Sequence, residues 1–421
     1  MVNNLLISWS TIGFIALAIL ILLVMITVHE FGHYLAGKLF RFKINEFSIG
    51  FGPALFKHRS KKSGELFAVR LIPLGGYCAF EGEDGLEEEE KKQKKSDPAK
   101  ASVQPQEEPP AEPVKKEPDP NSFTKKPCWQ RIIVLVAGAF MNYVLALLLI
   151  IIGFLAYGQT MVAVYEMEET ENEEYAAYGL QDFDILLQAD GKNLYLTADI
   201  ARALNGKKQN EQVEFRVSRA VGLVKEEDPD TGKLSVTYDH REEVSVIVIL
   251  RSDVEVKNSA DFTSVWNALG VKYQEGTEEG EGGYMLANAT FRFDFWEGLG
   301  RAIVYSFKIA GSIFRILGEL LTGRLGLSAF GGPVTTIRMT SQIVSRGFRY
   351  FLEIAGYIGV NLAVFNLLPI PALDGSKVVF TVIEWIRGKP VNRKVEAIIH
   401  AVGFVLLLGF AVLVDVLQFI L

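Results

Sequence analysis

The sequence predicts a polytopic α-helical membrane protein with four transmembrane helices, a membrane-associated β-hairpin or sheet, and an extracytoplasmic α/β domain. Of the 421 residues, 49% are hydrophobic and 22% are charged. The first value is too high for an ordinary soluble chain of this length, while the second leaves room for a polar domain. The positions of the apolar runs and of the basic residues define the elements.

Apolar runs of about 18 or more residues are long enough to cross a bilayer as a helix. Four such runs occur, at about Leu6 to Val28, Ile132 to Tyr157, Phe351 to Leu368 and Ala397 to Phe419. The first continues as a helix towards Phe40. We do not expect it to be a signal peptide, because it lacks a basic start and a small-residue cleavage site.

Lysine and arginine residues predict the orientation of these spans. None precedes the first span, whereas seven follow it closely: Lys38, Arg41, Lys43, Lys57, Arg59, Lys61 and Lys62. The segment after the second span instead contains six glutamates between Glu166 and Glu174. We therefore expect both termini and the α/β domain to be extracytoplasmic, and the first span to end at the cytoplasmic side.

The motif HEFGH at the end of the first span is the main candidate for chemistry. On a helix, His29 and His33 lie one turn apart and can reach one metal ion, with Glu30 on the adjacent part of the helix. Such a motif also occurs by chance, because paired histidines often only cap or line a helix surface. Its setting favours function, since ionisable side chains near a bilayer centre cost about 2.5–3.5 kcal/mol each.

A catalytic zinc usually has three protein ligands and an open position for water. The third candidate is Asp374, which follows a span that Pro369 and Pro371 must interrupt. Irregular backbone at membrane depth requires protein or a water-filled cavity around it. The remaining imidazoles belong to no motif and are weaker candidates: His58, His240 and His400.

The segment between the first two spans divides into a sheet and a linker. Residues 44–82 contain Gly-Pro-rich and β-branched pieces that predict a small sheet. Its edge could hold an extended peptide near HEFGH, or the hairpin could merely pack on the helices. Residues 83–127 are rich in Glu, Lys and Pro and predict a disordered linker, with a docking tail as the alternative. Cys78 and Cys128 are the only cysteines, so no disulfide framework is expected.

The segment 159–253 contains strand and helix patterns in a β-α-β order, typical of a compact α/β module. A peptide-end binder and a structural lid both fit this pattern. We assign no fold to the acidic, Gly-rich residues that follow. In the helix 296–321, Arg301, Lys308 and Arg315 recur every seven residues, which favours an amphipathic interfacial helix over a fifth span with a polar seam. The predicted segments are the first span with HEFGH (1–43), the sheet (44–82), the linker (83–127), the second span (128–158) and the α/β domain (159–253). They are followed by an irregular segment (254–295), the amphipathic helix with its loop (296–348), the third span with a cytoplasmic loop (349–395) and the last span (396–421).

These motifs resemble those of the bacterial site-2 intramembrane zinc metalloproteases, which act in regulated intramembrane proteolysis on anti-sigma factors and signal-peptide remnants. The resemblance covers nearly the whole chain. It rests on HEFGH at 29–33, GFGP at 50–53, PLGGY at 73–77, GP at 332–333 and NLLPIPALDG at 366–375. The first and last motifs, in this order and within spans, carry most of its specificity.

The resemblance implies that His29, His33 and Asp374 bind Zn²⁺ and that Glu30 is the catalytic base. It implies that Asn361 and Asn366 hold the substrate backbone, and that the outer module is a PDZ-like domain that binds peptide C-termini. It also implies a multi-pass protein of the bacterial inner membrane whose active site lies towards the cytoplasmic side. Two residues depart from the family pattern: Ala139 stands where a proline commonly follows Gly138, and Ser376 stands where a second glycine is usual.

We therefore expect hydrolysis of peptide bonds in single-span membrane proteins by a zinc-activated water, with Glu30 moving the proton. The substrate helix must unwind first, because its carbonyls are engaged in its own hydrogen bonds. The expected partners are this substrate and the lipid bilayer, with no nucleic acid. One alternative is a catalytically silent membrane scaffold with a closed four-ligand metal site. Another is a metal transporter, for which the last span offers only His400 and Asp415.

Overall fold

The computed structural model describes residues 9–83, 119–169, 179–227, 234–275, 282–327 and 330–420. Two compact units are present. One comprises Met1–Leu148 and Gly331–Leu421, and the other comprises Leu149–Phe330. Most of the predicted linker, residues 84–118, lies outside the described residues.

The first unit is mainly helical. Its helices are α1 (Trp9–Leu39), α2 (Cys128–Tyr157, whose last residues belong to the second unit), α6 (Pro333–Val344), α7 (Phe348–Leu367), α8 (Asp374–Arg387) and α9 (Arg393–Ile420). In the described part of the chain, α1, α2, α7 and α9 are long and apolar enough to cross a membrane. This confirms the four predicted spans.

Close packing of α1 against its neighbours depends on small residues. A Cβ atom on Gly32 would lie 2.4 Å from the carbonyl oxygen of Ala137, so α1 and α2 touch through backbone at this point. Nearer the start of α1, Gly359 of α7 meets Met25 of α1 and Ala146 of α2. A Cβ atom on Gly359 would lie 2.8 Å from the Ala146 methyl. The helices approach one another where the side chain is absent.

The predicted small sheet is formed by β1 (Ile44–Arg59) and β2 (Leu66–Phe80). Ile49 pairs with both Gly76 and Val69, so residues 46–49 have partners on both sides. Residues 76–80 consequently form one border of the sheet. The sheet packs on α1 and on a cluster of buried aromatic residues that includes Phe42 and Phe80.

Residues 119–127, which the sequence assigns to the linker, pack on the core. Phe123, in a short turn of 3₁₀-helix, is 5% exposed. Its ring centroid lies 5.5 Å from that of Phe42 and 5.7 Å from that of Phe80. Backbone hydrogen bonds from Lys43 to the Asn121 carbonyl at 2.9 Å and from Phe123 to the Glu81 carbonyl at 2.7 Å join these ring contacts in attaching the segment to the core.

The second unit contains one main sheet with the strand order β12-β3-β4-β6-β9, and β5 pairs with β4. The elements are β3 (Gln159–Val164), β4 (Ile185–Ala189), β5 (Lys192–Asn193), α3 (Thr197–Leu204), β6 (Gln212–Val221), β7 (Val224–Glu227), β8 (Leu234–Thr237), β9 (His240–Ile249), α4 (Thr263–Leu269), β10 (Tyr273–Gln274), β11 (Gly283–Tyr284), β12 (Leu286–Phe291) and α5 (Phe295–Leu321). The predicted strands overlap β3, β4, β6 and β9.

The expectation that residues 254–295 lack regular structure is wrong. This segment contains α4 and β12, and β12 pairs with β3 along six residues from Leu286 to Phe291. The sequence of β12 has weak strand propensity, and its partner strand lies more than a hundred residues earlier. The pairing therefore depends on tertiary contacts that local propensity does not show.

The charged stripe of α5 faces its own unit. Arg301 donates to Gln159, Lys308 donates to Asp199 at 2.8 Å, and Glu319 accepts from the backbone N–H of Ser259 at 2.9 Å. Several apolar residues of α5 are exposed, among them Trp296, Phe307 and Phe314. The helix is amphipathic as predicted, and its position in a membrane interface remains a prediction.

Candidate metal centre

The two histidines of α1 meet Asp374 at one point. The Nε2 atoms of His29 and His33 are 3.1 Å apart. An Asp374 carboxylate oxygen lies 2.9 Å from the first of these nitrogens and 3.2 Å from the second. Although 345 residues separate His29 from Asp374 along the chain, the three ligand atoms lie within 4.8 Å of one another.

The dimensions of this group fit a zinc ion. Tetrahedral zinc with ligand bonds of about 2.0–2.1 Å has donor atoms about 3.3–3.4 Å apart. The observed separations of 2.9–3.2 Å are close to that value. The side chains of His29 and His33 are only 10% and 9% exposed. Two imidazoles and one carboxylate would supply three ligands to zinc, one fewer than a closed structural site has.

Second contacts orient both imidazoles. His33 Nδ1 donates to the Val134 carbonyl of α2 at 2.8 Å, which directs Nε2 towards the metal position. His29 Nδ1 lies 3.3 Å from the side-chain amide of Asn366. The oxygen and nitrogen of such an amide are interchangeable in a structure, so Asn366 accepts from the imidazole when its oxygen takes that position. Asn366 is therefore placed to fix the tautomer of His29.

A glycine of α2 makes room for the two rings. A Cβ atom on Gly138 would lie 2.4 Å from His33 Nε2 and 2.8 Å from His29 Cε1. No other residue type fits this position without displacing the histidines. The departure at Ala139, by comparison, leaves the essential glycine in place.

The turn after α7 presents Asp374. The helix ends at Leu367, and Ala372 adopts a positive φ of 78° before α8 begins at Asp374. A Cβ atom on Gly375 would lie 2.3 Å from the Leu368 carbonyl oxygen, so the turn requires a glycine here. Ser376, the second departure from the family pattern, is buried and donates to the Leu373 carbonyl at 2.7 Å. A carboxylate at the start of a helix is also favoured by the helix dipole.

The two other predicted site residues, Glu30 and Asn361, are not members of the group formed by His29, His33 and Asp374. Glu30 lies beside the border of the sheet, where a Cβ atom on Gly76 would be 3.0 Å from Glu30 Cγ. Asn361, one turn and a half before Asn366, donates to the Tyr357 carbonyl of its own helix at 2.9 Å. The roles of Val134 and Gly138 were not predicted from the sequence. A glycine within an apolar span was the only available signal for the latter.

The folded arrangement defines a class of protein. Two histidines and an aspartate around one point, with a glutamate next to the first histidine, are a residue set typical of metallohydrolases, and the helices that lead to them are long enough to cross a membrane. The sequence profile of peptidase family M50 matches residues 17–410, and the chain belongs to this family. It is a zinc metalloprotease, and its cofactor is Zn²⁺.

Relatives from several bacteria align over most of the chain. A protein named as a zinc metalloprotease in Clostridium perfringens is 30% identical over 405 residues, which cover 96% of this chain and 97% of that protein. A protein with the same designation in Agrobacterium fabrum is 27% identical over 401 residues, 95% of this chain and 94% of the relative. The regulator of sigma-W protease RasP of Bacillus subtilis is 27% identical over 431 residues, covering 90% and 92%.

Proposed function

We propose that this zinc metalloprotease hydrolyses peptide bonds within or near the transmembrane segments of single-span membrane proteins. The observation that carries the proposal is the position of the three ligands. His29 and His33 lie on a candidate span, and Asp374 lies on the turn that follows another. Possible ligands carried by candidate spans support a metal site that acts on a peptide bond at membrane depth.

In this proposal, His29, His33 and Asp374 hold the ion and Glu30 is the catalytic base. Bound zinc supplies Lewis-acid polarisation of the scissile carbonyl and lowers the pKa of water towards neutrality. Glu30 accepts the proton of the attacking water and passes it to the leaving amine. Val134 and Asn366 keep the imidazoles in the required orientation.

We further propose that residues 76–80 of β2 hold the substrate in an extended conformation. This border of the sheet is next to Glu30, and its other side is paired with residues 44–49. A peptide that unwinds from a helix loses its internal hydrogen bonds, and strand addition replaces some of them. Asn361 and Asn366 are candidates to bind other carbonyl or amide groups of the unwound stretch.

The finer topology is also a proposal. The basic residues after the first span and the acidic segment after the second support a bacterial inner-membrane protein with both termini and the Leu149–Phe330 unit extracytoplasmic. We propose that this unit is PDZ-like and selects substrates by their C-termini. In the described structure β3 is paired on both sides, by β4 and β12, so a peptide that adds to the sheet does so at another strand or displaces β12.

The substrate class follows by analogy with the relatives. RasP carries the name regulator of sigma-W protease. We propose that this chain likewise cleaves membrane-anchored regulators such as anti-sigma factors, and remnants of signal peptides.

A silent scaffold is the less favoured function. It requires a closed site with four protein ligands. Among the described residues, the group that could hold an ion here has three members, His29, His33 and Asp374.

The experiment uses the full-length protein in liposomes with a single-span reporter. Glu30→Gln is expected to keep zinc and to lower cleavage by about 10²–10⁴-fold, because the base is lost while the ligands remain. Glu214→Gln, an exposed position on β6, is the matched control and should cleave at the wild-type rate. Wild-type turnover by Glu30→Gln would remove the proposed mechanism.

A further inference from the structure

The backbone that presents Asp374 is held in a conformation that needs support. Ala372, two residues before the aspartate, has a φ of 78°, which is uncommon for a residue with a side chain. Such conformations are strained, and they persist when surrounding contacts determine them. The turn formed by residues 368–373 is therefore expected to have a partner outside itself.

Contacts within the turn and α8 set its shape. Ile370 donates its backbone N–H to the Leu368 carbonyl at 2.7 Å, and Leu373 donates to Ile370 at 3.1 Å. Ser376 closes onto the Leu373 carbonyl at the start of α8. All of these contacts move together with the turn. They determine the conformation of the turn, whereas its position relative to α1 depends on contacts with other elements.

The last candidate span, α9, supplies such an element. His400 Nδ1 accepts a hydrogen bond from the backbone N–H of Ala372 at 3.1 Å. Three residues later, a Cβ atom on Gly403 would lie 2.2 Å from Pro371 Cβ, so the proline packs directly on the α9 backbone. Residues three apart share one face of a helix, so His400 and Gly403 form a single contact surface for consecutive residues of the turn. The His400 ring is held in turn by Phe380 of α8, with ring centroids 5.8 Å apart.

We propose that His400 and Gly403 of α9 are positioning residues for the zinc site, fixing the turn so that Asp374 reaches the metal held by His29 and His33. This inference rests on the proposed role of Asp374 as a ligand. His400 supplies a fixed acceptor for an N–H group at the strained residue, and Gly403 permits the close approach that brings this acceptor within range. Neither residue contacts the metal position. Their effect reaches the ion through the placement of one carboxylate.

Removal of a direct partner of a metal ligand typically changes metal affinity by about 10- to 100-fold, and we expect an effect of this order when the turn that carries the ligand loses its support. Zinc affinity of the full-length protein in detergent, measured by competition with a chelator, is therefore the primary measurement. Zinc itself is the probe, so the result does not depend on a substrate. Thermal unfolding of each variant is measured in parallel, because a merely structural role would lower stability and leave zinc affinity unchanged.

Two pairs of variants test the two contacts. His400→Leu removes the acceptor and is expected to weaken zinc binding about 10- to 100-fold, whereas His400→Asn offers an amide oxygen at a similar place and should restore affinity to near the wild-type value. Gly403→Ala places a methyl group against Pro371 and should weaken zinc binding. Gly409→Ala is the matched control on the same helix, because no atom lies within 4 Å of the added Cβ position.

The outcomes separate this inference from the assignment of the ligands. Wild-type zinc affinity in His400→Leu and Gly403→Ala overturns the positioning role, as does an equal loss in Gly403→Ala and Gly409→Ala. Failure of His400→Asn to bind better than His400→Leu overturns the role of the acceptor. If His400→Leu does not accumulate, the two glycine variants decide. Retention of zinc by Asp374→Ala would contradict the proposed ligand set itself, whatever the result at position 400.

Discussion

In the unit that contains the metal site, the buried His29 and His33 and the partly buried Asp374 face one another, whereas in the Leu149–Phe330 unit the buried charge of Arg301 faces protein acceptors. Arg301 is 2% exposed. It donates to Gln159 at 2.8 Å and to the Leu194 carbonyl, and it lies over the ring of Phe293 at 4.0 Å from the centroid. Its environment is complete without an added ion.

The same unit contains a second example of complete pairing. The Asp184 side chain is fully buried, and it accepts from Arg219 at 2.7 Å and from the Gln181 backbone at 2.9 Å. Buried charges of this kind are retained because each has fixed partners. At the metal site, three potential ligands instead converge on one point, and the contacts with Val134 and Asn366 are made by the Nδ1 nitrogens on the far side of the imidazoles. Burial alone therefore does not indicate function, and the direction in which the buried groups point does.

The strongest test of this comparison replaces each of two aspartates of the first unit by asparagine, in separate variants. Asp374→Asn is expected to lose zinc and reduce cleavage to background, because a charged ligand is removed. Asp415→Asn is the matched change, since Asp415 is a buried aspartate that accepts from the backbone of Val334 and Thr335 at the start of α6. Asparagine can still cap a helix, so the second variant should keep its zinc and its activity. Equal zinc loss in both variants would contradict the distinction, as measured by metal analysis of the purified proteins.

The next effect concerns the helix contact that supports the site. Gly32→Ala is expected to lower the free energy of unfolding by about 1–3 kcal/mol and to reduce cleavage, because the added Cβ would meet the Ala137 carbonyl at 2.4 Å. Gly13→Ala makes the same change on the same helix where no atom lies within 4 Å. It should be neutral or slightly stabilising. Thermal unfolding and reporter cleavage check both variants, and matching behaviour of the two would show that α1 and α2 are not closely packed at Gly32.

The corresponding change in the second unit should affect stability alone. Arg301→Met leaves the Gln159 side chain and the Leu194 carbonyl without their donor, at a cost of about 1–3 kcal/mol in the free energy of unfolding. Zinc content should not change. Arg324→Met, at an exposed position of the same unit, should stay within about 0.5 kcal/mol of the wild type. Loss of zinc in Arg301→Met would mean that the buried arginine serves the metal site as well.

The smallest expected effect is a difference in reactivity between the two cysteines. Burial raises the pKa of the Cys78 thiol in β2 well above its usual range, and the residue is 9% exposed. Cys128 is partly exposed at the start of α2. A maleimide should therefore label Cys128 in the folded protein, and Cys78 only after unfolding. Rapid labelling of Cys78 in the native state, read by mass spectrometry, would indicate that the sheet is not packed as described.

Prediction from the sequence was most successful where the signal is local. The lengths of the apolar runs predicted the four spans, and the proline pair predicted the end of α7 at Leu367. It failed for β12 and for Phe123, whose structure depends on partners far along the chain. The charged stripe of α5 was recognised, while the sequence contained no sign that Arg301 would be buried against Gln159.

The sequence by itself determined which side chains could bind zinc, because the spacing of His29 and His33 on a helix fixes their common face. It also determined that a third ligand had to come from elsewhere. The sequence offered Asp374 as the candidate, and only the tertiary structure decided that it lies beside the two histidines, through the fit of Gly138 against the imidazoles and of Pro371 against Gly403. Helical periodicity acts over a few residues and can be read locally, whereas the approach of segments 345 residues apart depends on the packing of every helix between them.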